Sequence, residues 1–313
     1  MVIEMYRGTD RPSRPGRKSD RWLPSPAHSE NPKGEGFLRE KTAMVAGATG
    51  AIGHATCLEL LEQGASVIGL GKDQARLDDL MQELSRFEHR FTPIRLAGLS
   101  EGCWNDAAQR VVAAHGPIDL FVHAIGVLNP GAVLELDESQ IETIIRTNLL
   151  SVIWSARAIA RHMAARGRGQ IVVVGSLGGL IPMPYQAIYC ATKFAVRGFC
   201  LALHEELHSR GVFVSLISPG PVRSPMLAVE AVDPRAAMVL APRPAEPCDV
   251  AAHVVRVIRR PRRELVMPAS SLQRVAAGIV NAYPELFGIL FPHLQRLGQR
   301  RLRWLPDGTG SGR

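Results

Sequence analysis

Aromatic side chains are scarce in this sequence, only 5% of 313 residues. That is too few for the stacking platforms that bind single-stranded nucleic acid. Cysteine is equally thin. The five cysteines, at positions 57, 103, 190, 200 and 248, never fall into C-x-x-C spacing. Such a scatter excludes a disulfide framework or a zinc ribbon and points to a reducing compartment. No apolar run is long enough to cross a bilayer, since the best stretch, Val275 to Phe291, is broken by Asn281, Pro284 and Glu285. The first residues lack the apolar core of a signal peptide, and their acidic members argue against a transit peptide. A soluble, cytoplasmic protein is the expectation.

Negative charge is also short. The chain carries a net +8 at pH 7, and the excess sits at its ends: residues 1–41 total +3, residues 42–255 total −3, and residues 256–313 total +8. A nucleic-acid reader would place its cations on the body of the domain, so no such partner is expected. Residues 1–36, rich in Arg, Pro, Ser and Gly without apolar period, read as a disordered leader.

From Lys41 onward, short apolar runs alternate with helical spacing. Thr42–Ala46, Ala65–Leu70, Ile94–Leu96, Leu120–Ala124, Ile171–Val174 and Val212–Ile217 read as buried strands. Helices are expected over 52–63, 74–84, 102–115, 139–166 and 186–210. Strands apolar throughout, separated by helices, require a parallel sheet covered on both faces. Right-handed crossovers then give a doubly wound, Rossmann-like α/β domain over residues 37–268.

The first strand runs through AGATGAIG, residues 46–53, into a helix. Glycines at that turn let a pyrophosphate approach the backbone, and the helix start supplies free N–H groups and a favourable dipole. Gly47, Thr49, Gly50, Ile52 and Gly53 are therefore cofactor-binding candidates. The acid that would hold an NAD ribose at the end of the second strand is replaced by Gly71, with Lys72 beside it and Arg76 a turn further on. A small neutral residue next to a cation suits a 2′-phosphate, so NADP is preferred, with NAD as the alternative through Asp73.

Tyr189 and Lys193, four apart at a helix start, share one face, and Ser176 leaves the preceding strand. A carbonyl reduction needs a proton donor for the developing alkoxide. A tyrosine beside an ammonium fits, because the cation favours phenolate, and Ser176 can hydrogen-bond the substrate oxygen. The H-E-x-x-H run His204–His208 ends the same helix, away from the sheet's carboxyl edge, so no metal site is expected.

Together with Ser218-Pro219-Gly220, these residues resemble the short-chain dehydrogenase/reductase family in its compact branch, nearest to hydroxysteroid and retinol dehydrogenases. The resemblance implies that Tyr189 is the acid/base and that Ser176 orients the substrate. It implies that Lys193 binds the nicotinamide ribose and lowers the Tyr189 pKa, and that Asn148 completes a proton relay. Gly126, Pro219, Gly220, Val222 and Ser224 would line the cofactor loops. A homodimer or homotetramer and transfer of the 4-pro-S hydride are implied likewise. The glycine loop departs from the family's usual spacing, the N-N-A-G motif is reduced to His123-Ala124-Ile125-Gly126, and Gly98 stands where an adenine-contacting Asp is common.

The expected activity is hydride transfer between NADP and a lipophilic ketone, aldehyde or secondary alcohol. Leu180, Ile181, Met183, Pro184, Val127, Leu128, Met226, Leu227 and Val229 are the candidate pocket residues. An extended-type epimerase or dehydratase is one alternative, and a non-catalytic, cofactor-sensing membrane or interaction protein is another. Residues 269–313 read as an amphipathic, basic extension. Leu272, Val275, Ile279, Tyr283, Leu286, Leu290, Leu294 and Leu297 form a helical stripe, with Arg274, Arg296, Arg300, Arg301 and Arg303 as cations. The stripe is expected to cover the pocket or a partner subunit, or to touch a membrane surface, with Pro284 and Pro292 splitting it into short helices.

Overall fold

The computed structural model describes residues 36–267, 278, 279, 283 and 285–302. The expected leader over 1–35, together with Leu272, Arg274, Val275, Pro284 and Arg303, lies outside the described residues. The strands are β1 (Thr42–Ala46), β2 (Ser66–Gly71), β3 (Phe91–Arg95), β4 (Leu120–His123), β5 (Gly169–Val174), β6 (Val212–Ser218) and β7 (Glu264–Val266). The helices are α1 (Ala51–Glu62), α2 (Gln74–Glu83), α3 (Glu101–His115), α4 (Glu138–Ile145), α5 (Ser151–Arg166), α6 (Ala187–His208), α7 (Pro225–Ala231), α8 (Pro247–Arg259) and α9 (Glu285–Leu302).

All the strands pair in parallel, in the order β3-β2-β1-β4-β5-β6-β7. Every residue of β1, β4 and β5 is buried, as continuous apolar strands require when both faces are covered. One face packs against α3, α5 and α6 through Trp104, Ile159, Met163 and Val196. The other packs against α1 and α8 through Leu60, Leu61, Val254 and Val257. The winding reverses between β1 and β4, so the crevice at their carboxyl ends is where such a sheet binds ligands.

Three expectations need correction. A seventh strand, β7, joins the sheet edge beside β6. With three residues it is too short to show a period. Arg197 of α6 grips it, donating two hydrogen bonds of 2.8 and 2.9 Å to the Glu264 carboxylate. The helix expected over 139–166 is α4 and α5 joined by a π-helical turn, Arg146–Leu150, which contains Asn148. Such turns put an extra residue into a helix and favour functional positions. Finally, α9 continues through Pro292 instead of breaking there. The carbonyl the proline leaves without a donor belongs to exposed Gly288, open to water. Tertiary contacts hold the rest. Gln295 donates to the Pro234 and Arg235 carbonyls and accepts from Met238 N–H. Gly298 lies so close to the 3₁₀ segment Pro234–Leu240 that a methyl group there would fall 1.8 Å from the Ala237 carbonyl oxygen.

Candidate active site

The glycine loop leaves β1 with Gly47 in left-handed backbone, φ 83°, a conformation that a side chain disfavours. Its N–H and that of Ala48 both donate to the Leu70 carbonyl at the end of β2. Gly53, inside α1, packs onto this turn, and a methyl group there would fall 2.0 Å from the Gly47 carbonyl oxygen. The loop is therefore compressed against the helix. The cap position, Gly50, offers no side chain to satisfy the first N–H groups of α1. A bare helix start under a tight glycine turn is a cradle that fits a pyrophosphate.

Gly71 ends β2 and is closely bounded by Leu77 and Thr49. Lys72 is exposed, while Asp73 is committed to capping α2, its carboxylate accepting from Arg76 N–H. The Arg76 guanidinium donates to the Thr49 carbonyl at 2.7 Å and so borders the glycine loop. This end of the site presents two cations and a carboxylate already engaged in capping α2.

Ser176, Tyr189 and Lys193 converge from β5 and α6. Ser176 Oγ accepts the Gly178 N–H at 3.0 Å, which leaves its own hydrogen free to donate. It is hydrogen-bonded to the Tyr189 phenol. The Gly178-Gly179 pair lets this turn approach α6, since a methyl group would fall 3.1 Å from Tyr189 at Gly178 and 2.7 Å from the Lys193 carbonyl at Gly179. Lys193 is buried, with Nζ over the Tyr189 ring at 5.5 Å from its centroid. Burial draws the ammonium down to about 8.

The expected depression of the Tyr189 pKa is not what this geometry produces. Burial and the nearby Glu230 carboxyl push the phenol well above its usual 10, against the opposing hydrogen bond from Ser176. The Lys193 cation lies over the ring and is itself desolvated, so it does not reverse the balance.

Asn148 is fully buried beneath the site. Its Oδ1 accepts from Val127 N–H at 2.8 Å and its Nδ2 donates to the Val127 carbonyl at 2.9 Å, clamping the loop that carries Gly126. Gly126 in turn sits beside Asn148 and the Lys193 ammonium. His123, at the end of β4, bonds Ser151 and packs on Trp104 and Phe121, and burial holds it neutral with a pKa near 3. The H-E-x-x-H histidines stack on each other at the far end of α6, with His204 bonded to the Val214 carbonyl.

A cavity of about 460 Å³ gathers Ile52, Gly126, Ser176, Tyr189 and Lys193 with Pro219, Gly220, Val222 and Ser224. Gly47, Thr49, Gly50, Gly53, Lys72 and Asn148 lie outside its lining. Ser224 caps α7 and donates to the Val222 carbonyl, which shapes the loop after β6. Of the expected apolar wall, Ile181, Met183, Met226 and Leu227 line the cavity, whereas Val229 is exposed. Phe287, Leu290, Leu294 and Leu297 of α9 close the opposite side. Two polar residues near this wall escaped the sequence reading. Glu230 lines the cavity, and Gln186 caps α6 immediately after Tyr185, whose φ of 64° is unusual outside glycine.

A family model for short chain dehydrogenase matches residues 41–234. The dehydrogenase/reductase SDR family member 7B of Danio rerio is 28% identical over 242 residues, covering 74% of this chain and 78% of that protein. The 3-oxoacyl-acyl-carrier-protein reductase FabG of Thermotoga maritima is 28% identical over 189 residues, covering 60% and 77%. Among solved structures, ElxO with NADP bound superposes with a TM-score of 0.66 at 21% identity, covering 72% of this chain and 96% of that one.

Proposed function

This chain belongs to the short-chain dehydrogenase family and is an NAD(P)-dependent oxidoreductase, and we propose that it transfers hydride between NADP and a lipophilic ketone, aldehyde or secondary alcohol. The observation that carries this reading is the meeting of Ser176, Tyr189 and Lys193 in one largely apolar cavity at the carboxyl edge of the sheet. The bound nicotinamide supplies or accepts the hydride. Gly47, Thr49, Gly50, Ile52 and Gly53 hold its pyrophosphate end, Lys72 with Arg76 favours the 2′-phosphate, and Lys193, Gly126, Pro219, Gly220, Val222 and Ser224 form the nicotinamide end.

Tyr189 delivers the proton. Its raised pKa keeps the hydroxyl protonated at neutral pH, the form that donates to a carbonyl oxygen. Ser176, whose single hydrogen is given to Tyr189, would turn it to the same oxygen when substrate binds. Asn148 holds the Val127–Gly126 backbone in place below. The apolar wall supports a lipophilic substrate, since a sugar or phosphorylated metabolite would find few partners there. The likeness to ElxO with NADP bound supports the cofactor preference. Homodimerisation or tetramerisation and a membrane-surface contact through α9 belong to the same proposal. The catalytic domain is then residues 37–268, with 269–313 as its extension.

Turnover settles the reading. Full-length protein mixed with NADPH and a panel of steroid, retinoid, fatty-acyl and polyketide-like carbonyls should consume NADPH with at least one of them. A chain that binds NADPH yet reduces none of them, and oxidises none of the corresponding alcohols, would overturn it.

A further inference from the structure

Glu230 and Gln186 are unlike anything else around the cavity. Glu230 projects from α7 into the wall at 7% exposure, and no Lys, Arg or His among the described residues pairs with it. Burial raises its carboxyl to about 7. Gln186 is 2% exposed. Its amide lies beside the carboxyl and favours the ionised form, yet neither its nitrogen nor its oxygen closes a hydrogen bond. Buried polar groups in this state are costly, and native proteins leave few of them.

The backbone leading into Gln186 is strained. Tyr185, just before Gln186, adopts left-handed φ. Its ring is covered by the Arg235 guanidinium at 4.8 Å, and that guanidinium is fixed by Glu135 and Asp233. Among the described residues no cation meets Glu230, and its one polar neighbour is the Gln186 amide behind it. The carboxyl is therefore a polar point on an apolar wall that a ligand in the cavity can reach.

We propose that Glu230, positioned by the Gln186 amide behind it, is a polar anchor for a hydroxyl group on the substrate, so that the substrate is a hydroxylated but otherwise apolar carbonyl compound or the matching diol. This rests on the cavity being the substrate pocket. A hydroxyl suits Glu230, which lines the cavity, because it can donate to the carboxylate or accept from the protonated carboxyl. A substrate carboxylate would meet like charge at Glu230. A substrate ammonium would have to be stripped of water in a cavity that already holds the Lys193 cation.

The test is a matched series, 1-tetralone with 5-, 6- and 7-hydroxy-1-tetralone, titrated calorimetrically into full-length protein saturated with NADPH. At least one hydroxylated member should bind about 10-fold or more tightly than the parent. That ratio should fall toward one in Glu230→Leu, fall less in Gln186→Met, which loses the amide behind the carboxyl, and recover in part in Glu230→Gln, which keeps an acceptor. Thermal melts identify a variant that has lost its fold, and a merely structural carboxyl would change the melt without changing the ratio. No gain from any hydroxyl in the wild-type protein, or a gain that survives both apolar variants, overturns the anchor. If the binding preference holds but no tetralone is reduced, the proposed reaction is struck and the anchor stands. Reduction of 1-tetralone with no hydroxyl preference does the reverse.

Discussion

Tyr189 illustrates how burial sets a residue's chemistry before any partner acts. The phenol lies in a largely apolar cavity beside a carboxyl, so its neutral form is favoured, the form that the proposed acid role requires. Tyr189→Phe removes that proton and little else. Steady-state kinetics should show kcat reduced by about 10²–10⁴-fold with cofactor affinity kept, and near-normal turnover would refute the role. Lys72 is proposed to act at the other end of the site. Lys72→Ala should narrow the preference for NADPH over NADH by about 1–3 kcal/mol in a binding titration, as loss of a charged hydrogen bond implies. Equal or tighter NADH binding by the wild-type protein would sink the assignment. Glu230 makes a stability prediction. Its folded pKa near 7 exceeds the 4.5 of a free glutamate, with Tyr189, Cys190 and Gln186 as its neighbours. A raised acid stabilises the fold fully below pH 4.5 and loses that contribution as pH climbs through 7. The loss is up to about 3 kcal/mol, so Glu230→Leu should flatten the denaturant midpoint across that window, and an unchanged slope would contradict the burial argument.

Among elements, legibility followed length and locality. Strands with unbroken apolar runs, such as β1 and β5, and the tyrosine-bearing α6 were readable because burial on both faces and a long helical period leave strong patterns. β7 was not, because three residues carry no period and its place depends on Arg197, 67 positions earlier. The π turn around Asn148 was hidden for a similar reason, since an inserted residue does not alter composition. Of the site, Ser176, Tyr189 and Lys193 were legible from spacing. Glu230 and Gln186 were not, because burial of a lone polar residue is decided by tertiary packing. The continuity of α9 through Pro292 is likewise a tertiary result, fixed by Gln295 and the close approach at Gly298. Gly298→Leu should therefore prise α9 from Pro234–Leu240 and open the cavity wall that α9 supplies. Substrate KM should rise while NADPH affinity, which the proposed function assigns to the glycine loop, should hold. A variant with unaltered KM would show that α9 does not bound the substrate.

At the scale of the whole molecule, charge and apolar exposure coincide. The middle of the chain is slightly acidic and residues 256–313 carry the +8. On α9 the side facing away from the cavity exposes Leu286 and Ile289, the latter at 67%, and Tyr283 just ahead of it is also exposed. Arg296 and Arg300 stand on the same helix. No helix among the described residues is long and apolar enough to cross a membrane. A helix with one face in the protein and exposed aliphatics flanked by cations suits the surface of an anionic bilayer. Each cation near that surface adds about 1 kcal/mol, and salt screens the attraction within a Debye length. Such a contact would set the mouth of an apolar cavity against the phase where lipophilic carbonyls accumulate. Full-length protein should therefore co-sediment with phosphatidylserine-containing vesicles at low salt and release as salt rises, and Ile289→Glu with Arg296→Glu should abolish binding without altering NADPH affinity. Protein that stays in the supernatant at low salt, or that binds neutral and anionic vesicles alike, would exclude this electrostatic contact and leave α9 as the wall of the pocket alone.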